Sequence, residues 1–367
     1  MQFRFITSTP LDILRGSGTF AGISTLAKFL KMTGASVDLI IPTVRLPIYT
    51  LERLAFNQLL RLKAQPSNAI TVGFDMDGYT LAGTGGFHIA SIKGVIADEM
   101  RFEAGLTRAT MRLQAACEQR NVQRADLVIA TSRYSSERIQ QLYAPTIEPR
   151  IVPELIDLAA WRTLLEHNPA QPARDKFTVL CVCRFYPRKR LQVLLSAADH
   201  LRSKIPGLQL RIVGDGPEIP GLKAMYQKKN LQGIVTWLGN VSQDALAQEY
   251  NRCDIFCLPS VQEGFGIVFL EAMASGKPIV AVRAGAAPEV VKHGILAEPD
   301  DDLDLARAIE RLYDNEALRA VSAAAGLQFV QQFDAPIVAA AFLREAELAN
   351  AHLHSSRSRT NPPDPVI

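Results

Sequence analysis

The stretch at residues 255–291, IFCLPSVQEGFGIVFLEAMASGKPIVAVRAGAAPEVV, most narrows what this chain can fold into. The apolar run 255–258 stops at Pro259 and has the length of a buried parallel strand. Polar and glycine residues follow, then an apolar segment with Glu271 inside it, then a second apolar run at 278–282. Strand, loop, helix and strand in that order form a unit of an open α/β sheet. The loop then lies at the carboxyl edge of the strands, where such sheets bind ligands. Gly264 and Gly266 let the backbone approach a ligand closely, and the helix start offers N–H groups to an anion. Glu263 lies in the loop, and Glu271 follows eight positions later, about two turns into the expected helix.

The spacing E-x7-E, here EGFGIVFLE from Glu263 to Glu271, is followed by A-x-A-x-G-x-P-I-V-A. Together they resemble the retaining glycosyltransferases of family 4. The resemblance implies the GT-B architecture, an α/β fold of two Rossmann-like doubly wound domains facing across a cleft, with a nucleotide-sugar as donor. It also implies that Glu271 accepts the ribose hydroxyls and that Glu263 contacts hydroxyls of the transferred sugar. Around Gly264, the amides of Phe265, Gly266 and Ile267 bind sugar or diphosphate.

A chain of 367 residues suits two domains better than one. The expected division is an acceptor-side domain at 1–165, a linker at 166–176 (with two prolines among polar residues), a donor domain at 177–332, a helix at 333–354 returning to the first domain, and a disordered tail at 355–367. The net charge of +3 arises in the first 165 residues, which hold 18 basic and 14 acidic side chains against 22 and 23 in the remainder. Arg45, Arg53, Arg61 and Lys63 are candidates for a patch contacting an anionic or membrane-borne acceptor, with an ordinary solvated surface as the alternative. No apolar run reaches the roughly 18 residues of a membrane-spanning helix, and the opening MQFRFITSTP reads as the first strand of a cytoplasmic domain. Five cysteines, with Cys181 and Cys183 alternating on one strand and Cys253 and Cys257 in apolar surroundings, read as small core residues. No basic stripe is interleaved with aromatics, which argues against a nucleic-acid partner.

In the first half, a strand at 3–7 leads into PLDILRGSGTFAGIS, a turn with Gly16, Gly18 and Gly22 before a helical pattern. The glycines are loosely spaced for a dinucleotide fingerprint, which leaves a nicotinamide-binding Rossmann half as an alternative; they resemble the family's first glycine-rich turn, which implies that Gly16 and Gly18 approach the donor phosphates or the acceptor. Asp75 and Asp77 form a D-x-D pair, read either as a metal-binding pair or as an acidic turn. The strand FHIASI ends at Lys93-Gly94. The family commonly places a histidine there, so the resemblance carries the catalytic position to Lys93, a fixed positive charge. His88 reads as a strand residue satisfied by neighbours. A single helix is expected over 99–119, and Ser132 caps the next. PELID at 153–157 stands where the family has asparagine and glycine.

In the second half, a strand at 177–183 precedes RFYPRKRLQVLLSA, and Leu191, Leu194, Leu195, Ala198 and Leu201 define a helical apolar face. Arg184 and Lys189 match the family's Arg and Lys, although Cys183 and Arg190 replace its glycines. Fixed cations there suit a leaving nucleoside diphosphate, whose charge grows as the glycosidic bond breaks. Gly214 and Gly216 form a tight turn, with Pro217 starting a helix. By resemblance, the donor zone also takes in Gly239 and Val241 near the nucleotide base.

These readings imply a metal-independent, cytoplasmic hexosyltransferase with possible peripheral membrane contact. No cofactor or metal is expected beside a UDP- or GDP-sugar. A non-catalytic nucleotide-sugar or glycan binder and a sugar-nucleotide epimerase of the same fold are the alternatives. The acceptor, donor base and oligomeric state stay open.

Overall fold

The computed structural model describes residues 1–9, 18–43, 46–62, 69–173 and 175–360. It divides into two compact units. The first comprises Met1–Thr9, Leu26–Pro153 and the chain from Pro336; the second holds Glu154–Ala335 with the opening turns of the helix Gly18–Met32.

The first unit is built on six parallel strands, β1 (Gln2–Ile6), β2 (Ser36–Ile40), β3 (Ile70–Phe74), β4 (His88–Ile92), β5 (Leu127–Ala130) and β6 (Arg150–Ile151), in the order β2-β1-β3-β4-β5-β6. β3 and β4 are buried along their whole length, as strands covered by helices on both faces must be. The helix Ala335–Thr360 packs on this sheet, with Phe342 edge-on to Phe3 at 6.0 Å and to Phe5 at 6.3 Å.

The second unit repeats the plan with β7 (Phe177–Val182), β8 (Leu208–Val213), β9 (Val235–Gly239), β10 (Ile255–Leu258), β11 (Ile279–Val282) and β12 (Ile295–Ala297), ordered β12-β11-β10-β7-β8-β9. Neighbouring strands are parallel throughout. The helix Leu191–Leu201 buries Leu191, Leu194, Leu195, Ala198 and Leu201, the face its periodicity defines. Among the described residues, no helix is long and apolar enough to cross a membrane.

Three boundaries differ from the sequence reading. The second unit starts at Glu154, so the helix Leu158–His167 belongs to it rather than to the first domain or to a linker. The reason is packing: Trp161 stacks edge-on against Tyr250 at 5.5 Å, and its indole N–H donates to Ser275 Oγ at 3.0 Å. The helix expected over 99–119 is broken. A short helix Ile96–Glu99 and a 3-10 turn are followed by the helix Gly105–Arg124, because Ala104 is extended and Gly105 has φ 53. Finally, the last helix runs to Thr360, past the expected start of the tail at 355. Asn361-Pro362-Pro363, in which the prolines cannot continue a helix, lies just outside the described residues.

Candidate active site

The strand order of the second unit reverses between β7 and β10, since β8 lies on the far side of β7 and β11 on the far side of β10. Connections leave such a switch point in opposite directions and open a crevice at the carboxyl ends of the strands. The loop after β7 carries Arg184 and Lys189, and the loop after β10 carries Glu263. They meet: Lys189 Nζ lies 2.5 Å from Glu263 Oε1, both side chains being 11% exposed. A backbone bond ties the same loops, Val261 N–H donating to Arg188 O at 2.9 Å, and another ties Glu263 to the loop after β11, Ala286 N–H donating to Glu263 O at 3.0 Å. Arg184, half-buried, makes no ion pair through its guanidinium among the described residues. The two expected diphosphate cations are thus unequal: one is committed to a carboxylate, while the other is open.

The helix Ile267–Ala274 starts where Gly266, at φ 89, turns the chain. A Cβ at Gly266 would come within 2.6 Å of the Phe269 ring, so glycine is required. Glu271 therefore sits one turn into the helix rather than two. Tyr250 Oη donates to its Oε2 at 2.9 Å, and burial pushes the Glu271 carboxyl up from 4.5 to about 7. Phe265 is buried against Phe333, ring centroids 5.4 Å apart, which holds the loop Gly264–Gly266 down and leaves its backbone to define the crevice wall. At Gly214, φ 124, a Cβ would fall 1.9 Å from Cys183 O, so the loops after β7 and β8 touch at backbone distance. Gly239, the last residue of β9, and Val241 beyond it line a more open region: a Cβ at Gly239 would meet nothing within 4 Å, and Val241 is half-buried. The opening turn of the helix Gly18–Met32 reaches the same zone, a Cβ at Gly18 lying 3.2 Å from Ile267 Cγ2. Gly16 lies outside the described residues, as do Arg45 and Lys63.

In the first unit, Lys93 follows β4 and is half-buried. Its N–H donates to Asp75 Oδ1 at 2.8 Å. His88 is fully buried, its Nδ1 2.7 Å from Thr71 Oγ1 and its Nε2 2.8 Å from Asn121 Oδ1, and burial lowers it to about 4. It is a neutral strand residue. The D-x-D residues do not share a ligand position. Asp77 is fully buried and accepts bonds from Ser8, Arg53 and Asn57, whereas Asp75 accepts from the amides after β4. Arg53, expected in a surface patch, is likewise buried on Asp77. No cluster of three or more metal-ligating side chains occurs among the described residues.

Two partners escaped the sequence reading. Tyr250 lies within the helix Gln243–Arg252, far from any motif, and nothing in its local pattern marks it as a support for Glu271. Asp300 pairs with Arg190 at 2.7 Å, and both have left-handed backbones. The glycine missing from the family pattern at 190 is the one signal that could have found that pair.

Residues 165–328 match the family model described as glycosyl transferases group 1. A GDP-mannose-dependent alpha-(1-6)-phosphatidylinositol monomannoside mannosyltransferase of Mycobacterium tuberculosis is 30% identical over 223 residues, 56% of this chain and 57% of the relative. The chain thus matches a little over half the length of that relative. Sucrose-phosphate synthase of Thermosynechococcus elongatus superposes with a TM-score of 0.76 over 96% of this chain and 99% of its own, at 20% identity. HepE of Anabaena, solved in complex with UDP and glucose, gives a TM-score of 0.69 over 94% of this chain and 98% of its own, at 18% identity. The family match is thus seated on the second sheet and its crevice loops, and the twin parallel sheets shared with these structures give the chain the GT-B fold.

Proposed function

We propose that this protein is a retaining hexosyltransferase that moves a sugar from a UDP- or GDP-sugar to a hydroxyl acceptor. The observation that carries the reading is the crevice at β7 and β10, where Arg184, which has no ion pair among the described residues, shares the β7 loop with Lys189, Lys189 pairs with Glu263 of the β10 loop, and Glu271 stands one turn into the following helix. In this reading Arg184 meets the charge that gathers on the diphosphate as the bond from the anomeric carbon to the phosphate oxygen breaks. Lys189 fixes Glu263 against the transferred sugar. Glu271, held through Oε2 by Tyr250, offers Oε1 to the ribose hydroxyls. The amides of Phe265, Gly266 and Ile267, with Gly264, receive sugar or diphosphate oxygens; Gly214, Gly239 and Val241 border the nucleotide, and Gly16 and Gly18 its phosphates.

The acceptor oxygen bonds to the anomeric carbon on the face from which the phosphate departs, and its proton passes to the departing phosphate oxygen. This same-face route needs no carboxylate nucleophile and assigns charge neutralisation to side chains rather than to a metal. Lys93 is the acceptor-side candidate of the first unit. The M. tuberculosis relative is named for GDP-mannose and a phosphatidylinositol mannoside, whereas HepE was solved with UDP, so neither base is preferred.

A membrane-borne acceptor is supported by the helix Tyr49–Leu60, whose outer face exposes Leu51, Ala55 and Leu59 in line with Ile48 before it and Leu62 after it. Its inner face buries Phe56 and Leu60 together with Glu52, Arg53 and Asn57, so the outer stripe is apolar surface that the fold does not cover, with the exposed Arg61 at its end. The protein is accordingly proposed to work as a peripheral enzyme on the cytoplasmic side of a membrane.

The test is mass-spectrometric turnover of a nucleotide-sugar panel with a cell extract as acceptor source, beside Glu271→Ala. Release of one nucleotide with a matching, configuration-retaining product, lost in the variant, supports the reading. Inversion refutes the retaining reading. Turnover of donor without acceptor establishes an epimerase, and binding without turnover establishes a sugar-nucleotide binder.

A further inference from the structure

The Asp75-Met76-Asp77 turn lies at the switch point of the first sheet, where β2 and β3 flank β1 and connections leave in opposite directions. We infer that this turn is a carboxylate clamp that positions the two ligand-facing chain segments of the first unit, the exit of β1 at Ser8 and the Lys93-Gly94 turn after β4. The inference rests on the glycosyltransferase reading and goes beyond it by giving the D-x-D pair a role in positioning.

The bonding divides cleanly between the two acids. Asp77 Oδ2 accepts from Ser8 N–H at 2.7 Å, from Ser8 Oγ at 2.7 Å and from Arg53 Nη2 at 3.2 Å, while Oδ1 accepts from Asn57 Nδ2 at 2.9 Å. Both oxygens of a fully buried carboxylate are thereby used inside the protein, and what they fix is the chain leaving β1. Asp75 Oδ1 accepts from the amides of Lys93 at 2.8 Å and of Gly94 at 3.3 Å, which fixes the chain leaving β4.

The turn between them is itself over-determined. Asp75 has φ 54, a left-handed backbone that a non-glycine residue keeps only when its surroundings hold it. Asn121 Nδ2 donates to Asp75 O at 2.8 Å, and Asp75 N–H donates to Ser91 O at 3.1 Å. Gly73 admits Asp77 O where a Cβ would stand only 2.1 Å away, so the turn folds back on its own strand. One tripeptide thus ties together the carboxyl ends of β1, β3 and β4, the edge at which open α/β sheets present ligand-binding loops.

A turn built in this way fixes the backbone from which the Lys93 side chain departs. Losing the Asp75 oxygens leaves two amides without their acceptor and lets the turn drift. A displacement of about 1 Å at a catalytic group costs on the order of 10²-fold in rate. Asn keeps a carbonyl oxygen for both amides and therefore serves as the conservative replacement.

The experiment uses the full chain with Asp75→Ala, Asp75→Asn, Lys93→Ala and the Asp75→Ala/Lys93→Ala double variant. Turnover is followed with UDP-glucose and GDP-mannose over a cell extract, and amide hydrogen exchange is read across 88–96. The expected result is a fall in kcat of about 10- to 100-fold for Asp75→Ala with donor KM within about 3-fold of wild type, from the misplacement argument above. Exchange at Lys93 and Gly94 should accelerate, Asp75→Asn should restore kcat to within about 5-fold, and the double variant should be no slower than the slower single one. A normal kcat in Asp75→Ala beside an impaired Lys93→Ala overturns the clamp and leaves the catalytic reading standing. Effects that multiply in the double variant, or a donor KM that rises in step with the loss, overturn it too. Absence of turnover from the wild-type chain with every donor overturns both.

Discussion

Replacing Glu271 by Gln should make the protein more stable and a poorer enzyme, and only at neutral or alkaline pH should the first effect appear. Burial raises this carboxyl from its ordinary 4.5 to about 7, with the Tyr250 hydroxyl opposing the rise. An acid raised on folding is easier to ionise in the unfolded chain. Its contribution is therefore fully present below about pH 4.5 and is lost as the pH climbs to about 7. The two values differ by about 2.5, which at about 1.36 kcal/mol per pH unit sets a penalty of about 3 kcal/mol above pH 7. Gln keeps a carbonyl oxygen for Tyr250 and carries no charge, so Glu271→Gln should remove most of that penalty. For a unit of this size the gain corresponds to a midpoint rise of roughly 6–12 °C near pH 8.5 and to almost none near pH 4.5. Donor binding should weaken by about 1.5–3 kcal/mol, the worth of hydrogen bonds to a charged acceptor. The assay is thermal and urea unfolding at both pH values, with calorimetric titration of the donor nucleotide. Equal stabilisation at both pH values would refute the ionisation argument, and undiminished nucleotide affinity would refute the ribose assignment.

Lys189→Met should destabilise by about 3 kcal/mol, because it strands the Glu263 carboxylate in a mostly buried position, whereas Lys189→Met/Glu263→Gln should recover most of that loss in urea unfolding and none of the turnover. Gly214→Ala should cost about 3 kcal/mol or fail to fold, since its Cβ would lie 1.9 Å from Cys183 O, while Gly239→Ala, with nothing within 4 Å, should cost only the roughly 1–2 kcal/mol of its left-handed backbone. Leu51→Glu/Leu59→Glu should abolish flotation with anionic vesicles without changing the unfolding midpoint by more than about 2 °C, both side chains being half exposed; unchanged flotation would remove the outer stripe from the membrane reading.

The second unit was the more legible half, and the reason is physical. Its motifs are backbone requirements: Gly214 and Gly266 cannot carry a side chain where they stand, so their positions show in the sequence as fixed glycines beside apolar runs. Arg184, Lys189 and Glu263 were legible as residues but not as a set, because the Lys189–Glu263 pair joins positions 74 apart and depends on β7 and β10 being neighbours. The expectation of two equivalent cations treated each charge by itself, and it is the pairing that separates them. The first unit hid more. Asp75 and Asp77 look alike in sequence, yet one faces amides after β4 and the other a buried arginine, since the left-handed turn at Asp75 sends the two side chains to different partners. The helix start at Gly105 and the unit boundary at Glu154 were missed for a related cause. A positive φ at one residue and the docking of Trp161 are decided by tertiary context, which outweighs helix propensity.

Where this chain departs from the glycine pattern of the glycosyltransferases it resembles, the departure itself makes a prediction. Arg190 occupies a glycine position yet keeps φ 52, at the start of the helix Leu191–Leu201. The left-handed backbone costs a non-glycine residue about 1 kcal/mol, and Gly would relieve it. Against this stands the 2.7 Å pair with Asp300, whose side chain is 54% exposed and which therefore contributes at most about 1 kcal/mol. The Arg190 guanidinium also donates to Pro187 O at 3.2 Å, a long bond of small value. The two sides nearly cancel, so Arg190→Gly should leave urea stability within about 1 kcal/mol of wild type. Asp300→Ala in the native background should instead destabilise slightly, because it removes the pair and leaves the strain at Arg190. If Arg190→Gly lost more than about 2 kcal/mol, the pair would be holding the loop at Asp300 in place rather than offsetting local strain, and the substitution would count as a gain in loop order.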